Sequence, residues 1–320
     1  MPYGSERADA SRRWFLRAAA SSLALAACAP LRAIADAPTK RSRLILLGTA
    51  GGPTPKPNRA APAQAIVVDG VVYVIDCGNG VARQMALAGL DLGAIRDVFI
   101  THHHSDHNAD YGNLLLLAWA GTLHTRVDTW GPPPLRRMTR QFLAMNDADI
   151  RVRIADEGRP PLAPLIVPHE ITRGGLVLRD ERVTVRAALV EHSMVKPAFA
   201  YRFDCPDRSI VISGDTRPSE NLVALAHGAD VLVHEVMYLP AIERIEKAEP
   251  AAKRLHQHLI AAHTSTEEVG RIATRAGVKT LVLSHFVPGG LPAIDDETWR
   301  AAVAPHFSGE IVVGHDLLEL

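Results

Sequence analysis

Short β-branched and aromatic runs alternate along this chain with longer stretches of helical period, and the polar residues capable of chemistry gather where the runs end. Residues 44–47 read as a buried strand, and 65–68 and 71–75 as two more, joined by Asp69-Gly70, a two-residue hairpin signal. Residues 95–100 form a further apolar run ahead of a helix-period stretch at 111–119. Strands are expected again near 126–130, 176–178, 183–190, 199–203, 209–213, 231–233 and 280–283. Helices are expected at 79–90, 135–145 and 242–258, and after Ser265, where Ser265 and Glu268 make a capping box and Gly277 a stop. This alternation implies an α/β layered domain with polar residues at the carboxyl ends of strands. Residues 147–175, polar and proline-bearing, read as an irregular, substrate-facing insertion.

The densest chemistry sits at the strand-to-helix turn over 101–110, in the pattern His102-x-His104-x-Asp106-His107. Off an extended backbone His102 and His104 point the same way, while Asp106 and His107 turn the corner to a second point. That is a layout for two metal ions. His103, out of phase, reads as a structural neighbour. Other strand ends deliver Asp76, Glu191-His192, Asp215, His234-Glu235 and Ser284-His285. Asp76 is expected either to orient the histidine loop or to cap the helix at 79–90. The loop Gly48-Thr49-Ala50-Gly51-Gly52-Pro53 lacks nucleotide-binding spacing, so its glycines are expected to let backbone pass close beneath the site.

With 320 residues, 47% of them apolar, the chain has ample material for a core. Its formal net charge is zero, but without the first 35 residues 30 basic and 33 acidic residues remain, a net charge of −3. Those residues contain Ser11-Arg12-Arg13-Trp14-Phe15-Leu16, which resembles a twin-arginine export signal, ahead of an alanine-rich run too short to span a bilayer. Cleavage is expected before Asp36, or at Cys28, where Leu25-Ala26-Ala27-Cys28 resembles a lipobox. The expected organisation is an export signal over 1–35 and a single domain over 36–320, located in the periplasm or exported. Membrane contact is then expected only through a lipid anchor at Cys28, and the export machinery is an expected partner. Cys77 and Cys205 make no disulfide framework.

Taken together, His102-x-His104-x-Asp106-His107, His192, Asp215 and His285 resemble the signature of the metallo-β-lactamase superfamily, from residue 44 to the C-terminus. The resemblance implies an αββα sandwich, two mixed sheets packed together with helices outside. It assigns His102, His104 and His192 to one zinc, Asp106, His107 and His285 to a second, and Asp215 to a bridge between them. Iron or manganese also suit imidazole and carboxylate donors. A water shared by two such ions deprotonates near neutral pH and can attack an ester, with Asp106 also helping to orient it. Glu235 and His263 resemble the pair that protonates the leaving group in ribonuclease Z and its relatives.

For the substrate, residues 48–53 with Arg59, 106–110 and His263-Thr264-Ser265 resemble an exported arylsulfatase-like branch, which implies a small anionic ester. The alternatives are a phosphodiesterase or ribonuclease Z-like nuclease, and an exported metal-binding or sensing protein without catalysis. The retention of Asp106, Glu235 and His263 speaks against the last of these. Only 23 positions separate His192 from Asp215, too few for the tRNA-gripping arm of ribonuclease Z. With the acidic balance and export, this argues against nucleic acid as a partner. A homodimer is left open.

Overall fold

The computed structural model describes residues 41–248, 253–290 and 293–320. The export-signal and lipobox expectations, Cys28 included, lie outside the described residues. The apolar runs form two seven-stranded sheets among the described residues. In the first, β1 (Ser42–Gly48), β2 (Ala63–Val68), β3 (Val71–Ile75), β4 (Ile95–Phe99), β5 (Val127–Gly131) and β6 (Ile166–Glu170) lie side by side. The second contains β7 (Gly175–Arg179), β8 (Thr184–His192), β9 (Val195–Asp204), β10 (Ser209–Ile212), β11 (Val231–Met237), β12 (Thr280–Val287) and β13 (Glu310–Val313). The last strand, β14 (Leu318–Glu319), returns to pair with β1. Each sheet is mixed: β1 to β3 and β7 to β10 pair antiparallel, while β3 to β6 and β10 to β13 pair parallel.

Residue alternation on β3 shows how the layers arise. Tyr73 and Ile75 face the second sheet, where Tyr73, Phe99, Ile66 and Leu44 meet Tyr201, Phe203, Val185 and Ile212 in one core. Phe99 contacts Tyr201 and Phe203 edge-on, with ring centres 5.4 and 5.2 Å apart. Val72 and Val74 face the other way, against α1 (Val81–Leu87) and, beyond the short α2 (Ser105–Asn108), α3 (Tyr111–Ala120). Both faces of the strand are therefore buried, which is why it reads as an unbroken apolar run. Past α4 (Leu135–Met145) and α5 (Asp147–Glu157), the outside of the second sheet is covered in the same way. There Leu222 of α6 (Glu220–Ala226), Val269 and Ile272 of α9 (Thr266–Ala276) and Trp299 of α10 (Asp296–Val303) pack on Val211, Leu232 and Leu281. The fold is the αββα metallo-β-lactamase sandwich, an α/β architecture of two mixed sheets flanked by helices.

Local signals behave as their chemistry dictates. Asp69 and Gly70 take φ values of 49° and 82°, the left-handed pair that a two-residue hairpin requires. Ser265 Oγ accepts from Glu268 N at the start of α9, and Gly277, with φ 63°, ends it. Two expectations need correction. Residues 147–175 are not an irregular insertion: α5, braced by Asp147–Arg151 and Asp149–Arg153 ion pairs one turn apart, leads to β6, which pairs in parallel with β5. The helical stretch at 242–258 is two helices, α7 (Leu239–Ala248) and α8 (Lys253–Ala262).

Candidate metal centre

The loops after β4, β8 and β10, with the end of β12, bring the expected ligands to one edge of the sandwich. His102 and His104 follow β4, Asp106 and His107 lie on α2, His192 ends β8, and Asp215 follows β10. His285 stands on β12 at a register shift against β11, as the extra residue between Ser284 and Phe286, with φ 46°. A non-glycine residue in that region costs about 1–3 kcal/mol, and a bulge of this kind re-aims a side chain that a regular strand would point elsewhere.

Asp215 is the hub. Its Oδ2 lies 3.8 Å from His102 Nε2, 3.7 Å from His192 Nε2 and 3.2 Å from His285 Nε2, while its Oδ1 lies 3.3 Å from His107 Nε2. His285 Nε2 is also 3.4 Å from Asp106 Oδ2. Potential ligand atoms fall into the groups His102, His104, His192, Asp215 and Asp106, His107, His285, each within 4.8 Å of one another. Asp215 also groups with His263 and His285. These are the two sets that the sequence pattern singled out, with Asp215 between them.

The donor set fits metal ions on several counts. His107 Nε2, Asp215 Oδ1 and both ring nitrogens of His285 are buried without a hydrogen-bond partner. His104 Nδ1 lies 3.2 Å from His102 Nε2 and 3.0 Å from His192 Nε2, nitrogens gathered around one point. Burial holds His102 neutral by lowering its pKa far below the usual imidazole value, and lowers His192 to about 4, which leaves both with lone pairs to give. Burial opposes charge on His107 too, but Asp215, Asp76 and Asp106 outweigh it and raise that pKa, the mark of a carboxylate-rich point that favours a cation. Asp215 is driven the opposite way from its burial, well below the carboxylate range, by His285, His107 and His102.

Asp76 governs both groups from behind. Buried, and with φ 60°, it accepts from Thr101 N and Thr101 Oγ1 and, at 2.7 Å, from His107 Nδ1. Thr101 Oγ1, having donated to Asp76, accepts from His102 Nδ1 at 3.0 Å. One carboxylate thus fixes the tautomers of a histidine in each group, leaving Nε2 of both toward the centre. Asp76 does not cap α1, whose N-cap Gly80 has no side-chain cap and donates its own N–H to Asp110 Oδ2. His103 bonds Pro132 O and Asn108, so it is a structural neighbour as expected. The glycine loop also behaves as expected. Gly52 N donates to Asp106 Oδ2 at 3.0 Å, and a Cβ on Gly51 would lie 2.6 Å from Phe286 O.

Glu235 and His263 come together as a second unit. Glu235 accepts from Thr216 N and faces His263 Nδ1, so Nε2 of that ring is left for the cavity that His263 lines. Burial raises the Glu235 pKa despite His263, while on His263 Glu235 overcomes burial and raises the pKa to about 9. Glu235 thus favours the protonated form of His263. His234, whose Nδ1 bonds Glu235 O, is wholly buried, and burial lowers its pKa to about 4.

A cavity of about 510 Å³ opens on the centre and is lined by His104, Asp106, Asp215, His263 and His285. Lys56 and His258 line it too, and neither stood out in the sequence. The His258 ring lies 6.5 Å from that of His104 and 6.4 Å from that of His192. Its position five residues before His263, on an amphipathic helix, was the available signal. Arg59 is not part of that lining. Its guanidinium donates to Thr49 Oγ1 and Gly314 O and lies 4.1 Å over the Phe286 ring, bracing the glycine loop.

Residues 72–286 match the model of the β-lactamase superfamily domain, and the chain belongs to that superfamily. With its candidate binuclear metal site it is a hydrolase of the metallo-β-lactamase type. Among curated proteins, ribonuclease Z of Mycobacterium bovis (strain BCG / Pasteur 1173P2) is 36% identical over 277 residues, 86% of this chain and 96% of that protein. Human tRNase Z, short form, superposes with a TM-score of 0.64 at 21% identity, over 87% of this chain and 98% of that one. The metallo-β-lactamase fold protein YhfI of Bacillus subtilis gives 0.63 at 20% identity, over the same shares of each chain. Those two likenesses show the shared fold. The kinship is with ribonuclease Z and other hydrolases of the superfamily, not specifically with the arylsulfatase branch.

This overturns the exclusion of nucleic acid. That exclusion rested on a short interval, an acidic balance and expected export, yet a relative 36% identical to this chain over 96% of that relative's length is a ribonuclease. Net charge sums over the whole surface, whereas phosphate is held by the local field of a site. A short interval between His192 and Asp215 leaves the bond-breaking groups untouched.

Proposed function

We propose that this protein is a phosphodiester hydrolase of the ribonuclease Z type, acting on RNA. The observation that carries the reading is identity of 36% to a ribonuclease Z over 96% of that protein's length. The site supports it chemically. His102, His104, His192 and Asp215 would hold one ion and Asp106, His107, His285 and Asp215 another. When bound, these ions would lower the pKa of a water and neutralise charge on the transferring phosphoryl group. Zinc is the ion that imidazole and carboxylate donors without thiolate suit best. Asp106, held by Gly52 N, orients the attacking water, and His263, kept protonated by Glu235, gives its Nε2 proton to the leaving oxygen.

The test is a direct comparison on zinc-loaded protein of bis(4-nitrophenyl) phosphate, a labelled tRNA transcript and 4-nitrophenyl sulfate, with metal analysis of the same sample. Hydrolysis of the diester and scission of the RNA, without sulfate release, is the expected outcome. Sulfate release without diester cleavage would restore the arylsulfatase-like reading. Export is a separate proposal, supported by Ser11-Arg12-Arg13-Trp14-Phe15-Leu16, and an exported enzyme would meet RNA outside the cytoplasm. The mass of the protein recovered from cells distinguishes cleavage before Asp36, lipidation at Cys28 and an unprocessed chain.

A further inference from the structure

The cavity over the metal centre has an unusual outer wall. Ile242 and Ile245 on α7, Leu255 and Leu259 on α8, and Val287 and Pro288 at the end of β12 give it an apolar face. Ile242 and Val287 pack with Met237, Leu239 and Leu259 into a small apolar cluster separate from the three main cores. Ile245 and Leu255 lie beyond that cluster and stay 43% and 54% exposed while lining the cavity. Large aliphatic side chains at the rim of a charged site gain nothing from water, so their position calls for an apolar ligand group.

The wall also runs directly into the catalytic pair. His263 N donates to Leu259 O, so Leu259 lies one helical turn before the proposed proton donor. Lys56 adds a cation to the same lining. The cavity thus joins the metal ligands on one side to an apolar face on α7 and α8 on the other. At about 510 Å³ the cavity lies within the range of sites that enclose a small ligand.

We infer that the α7–α8 wall is a subsite for an aromatic group carried next to the scissile phosphate, with Ile245 and Leu255 as its specificity-determining residues. The inference rests on the phosphodiesterase reading, whose ester must sit at the metal ligands. It adds the chemical class of the neighbouring group: a flat, apolar ring in preference to a small alkyl group.

Phenylphosphonate and methylphosphonate test it, because they share the anion and differ in the ring. Binding of each to the zinc-loaded protein is measured by calorimetry, and inhibition of bis(4-nitrophenyl) phosphate hydrolysis is measured alongside. The expected result is roughly tenfold or greater preference for phenylphosphonate, falling towards equal binding in Ile245→Ser and Leu255→Ser. Ile260→Ser is the matched control: Ile260 is on α8, 48% exposed, and outside the cavity lining, so the preference should survive there. Equal binding by the parent protein, or a preference unchanged in both wall variants, would overturn the inference. A wall-dependent preference without any diester hydrolysis would instead retain the subsite and remove the phosphodiesterase reading.

Discussion

Both carboxylate oxygens of Glu235 face Nδ1 of His263, at 3.0 and 3.1 Å. The pair is buried, and Thr216 N anchors the carboxylate from the other side. One ring nitrogen is committed to Glu235, which fixes the direction in which the other can deliver a proton. The leaving group should therefore decide how much the pair matters. For an alkoxide leaving group, His263→Ala is expected to lower kcat by about 10²–10⁴, whereas 4-nitrophenolate leaves without a proton and should show a much smaller loss. Glu235 raises the His263 pKa to about 9, so activity toward the alkoxide ester should fall as pH rises and the acid form is lost. Glu235→Gln should move that alkaline limb to lower pH. Rate–pH profiles for the two ester types, in both variants, check this; equal losses on both esters would remove the proton-donor role.

Asp76 accepts from His107 directly and, through the Thr101 hydroxyl, secures His102. Replacing it by Asn keeps the shape but puts a donor or a neutral acceptor where both histidines need a carboxylate. Asp76→Asn is expected to weaken metal binding roughly 10–100-fold, measured by competition with a chromophoric chelator. Thr101→Val should reproduce a fraction of the loss, because only the His102 arm is cut. A metal affinity unchanged by Asp76→Asn would show that the histidines are oriented by packing alone.

Removal of the ions should also cost stability. The unpartnered buried atoms of His107, Asp215 and His285 leave the metal-free site with desolvated polar groups facing one another. A ligand that binds only the folded state adds about 2.7 kcal/mol at a hundred times its dissociation constant. Thermal melts of chelator-treated protein should therefore lie several degrees below those of the zinc-loaded form and recover on titration with zinc. Asp215→Asn should flatten that titration, since Asp215 reaches histidines of both groups.

The strand ends were legible because ligand chemistry and strand period coincide there: β4 runs out at Phe99, and His102 to His107 follow within the next turn. Asp69-Gly70 and Ser265 with Glu268 were legible because each motif satisfies a backbone requirement locally. The α5 to β6 segment was not, since its helix buries little beyond Ile150 and its strand has only one buried residue, Ile166. The role of Asp76 could be written only as one of two alternatives, because the choice depends on Thr101 and His107, tens of residues away in the chain. The only signal for His258 was its place on an amphipathic helix, Lys56 had none, and both matter through the cavity that separate elements close around. The exclusion of nucleic acid failed for a related reason: a sum of charges has no position.

Outside the metal ligands, Asp97 offers a test of electrostatics alone. It lies on β4, is 2% exposed, and accepts from Trp130 Nε1 at 2.8 Å. Burial raises its pKa to about 6, and that hydrogen bond only partly offsets the effect. An aspartate in the unfolded chain titrates near 4. Between the two values the folded state binds more protons than the unfolded state, so stability falls as pH rises through this window. Above about pH 6 the full cost of the buried charge is present, of order 3 kcal/mol, and below about pH 4 it is gone. Asp97→Asn keeps an acceptor for Trp130 without a charge to bury. The variant should accordingly be more stable than the parent at pH 8 by up to that amount, with the difference vanishing near pH 4. Paired denaturant titrations at the two pH values measure it, and a variant that is equally or less stable at pH 8 would show that Asp97 is stabilised in its charged form.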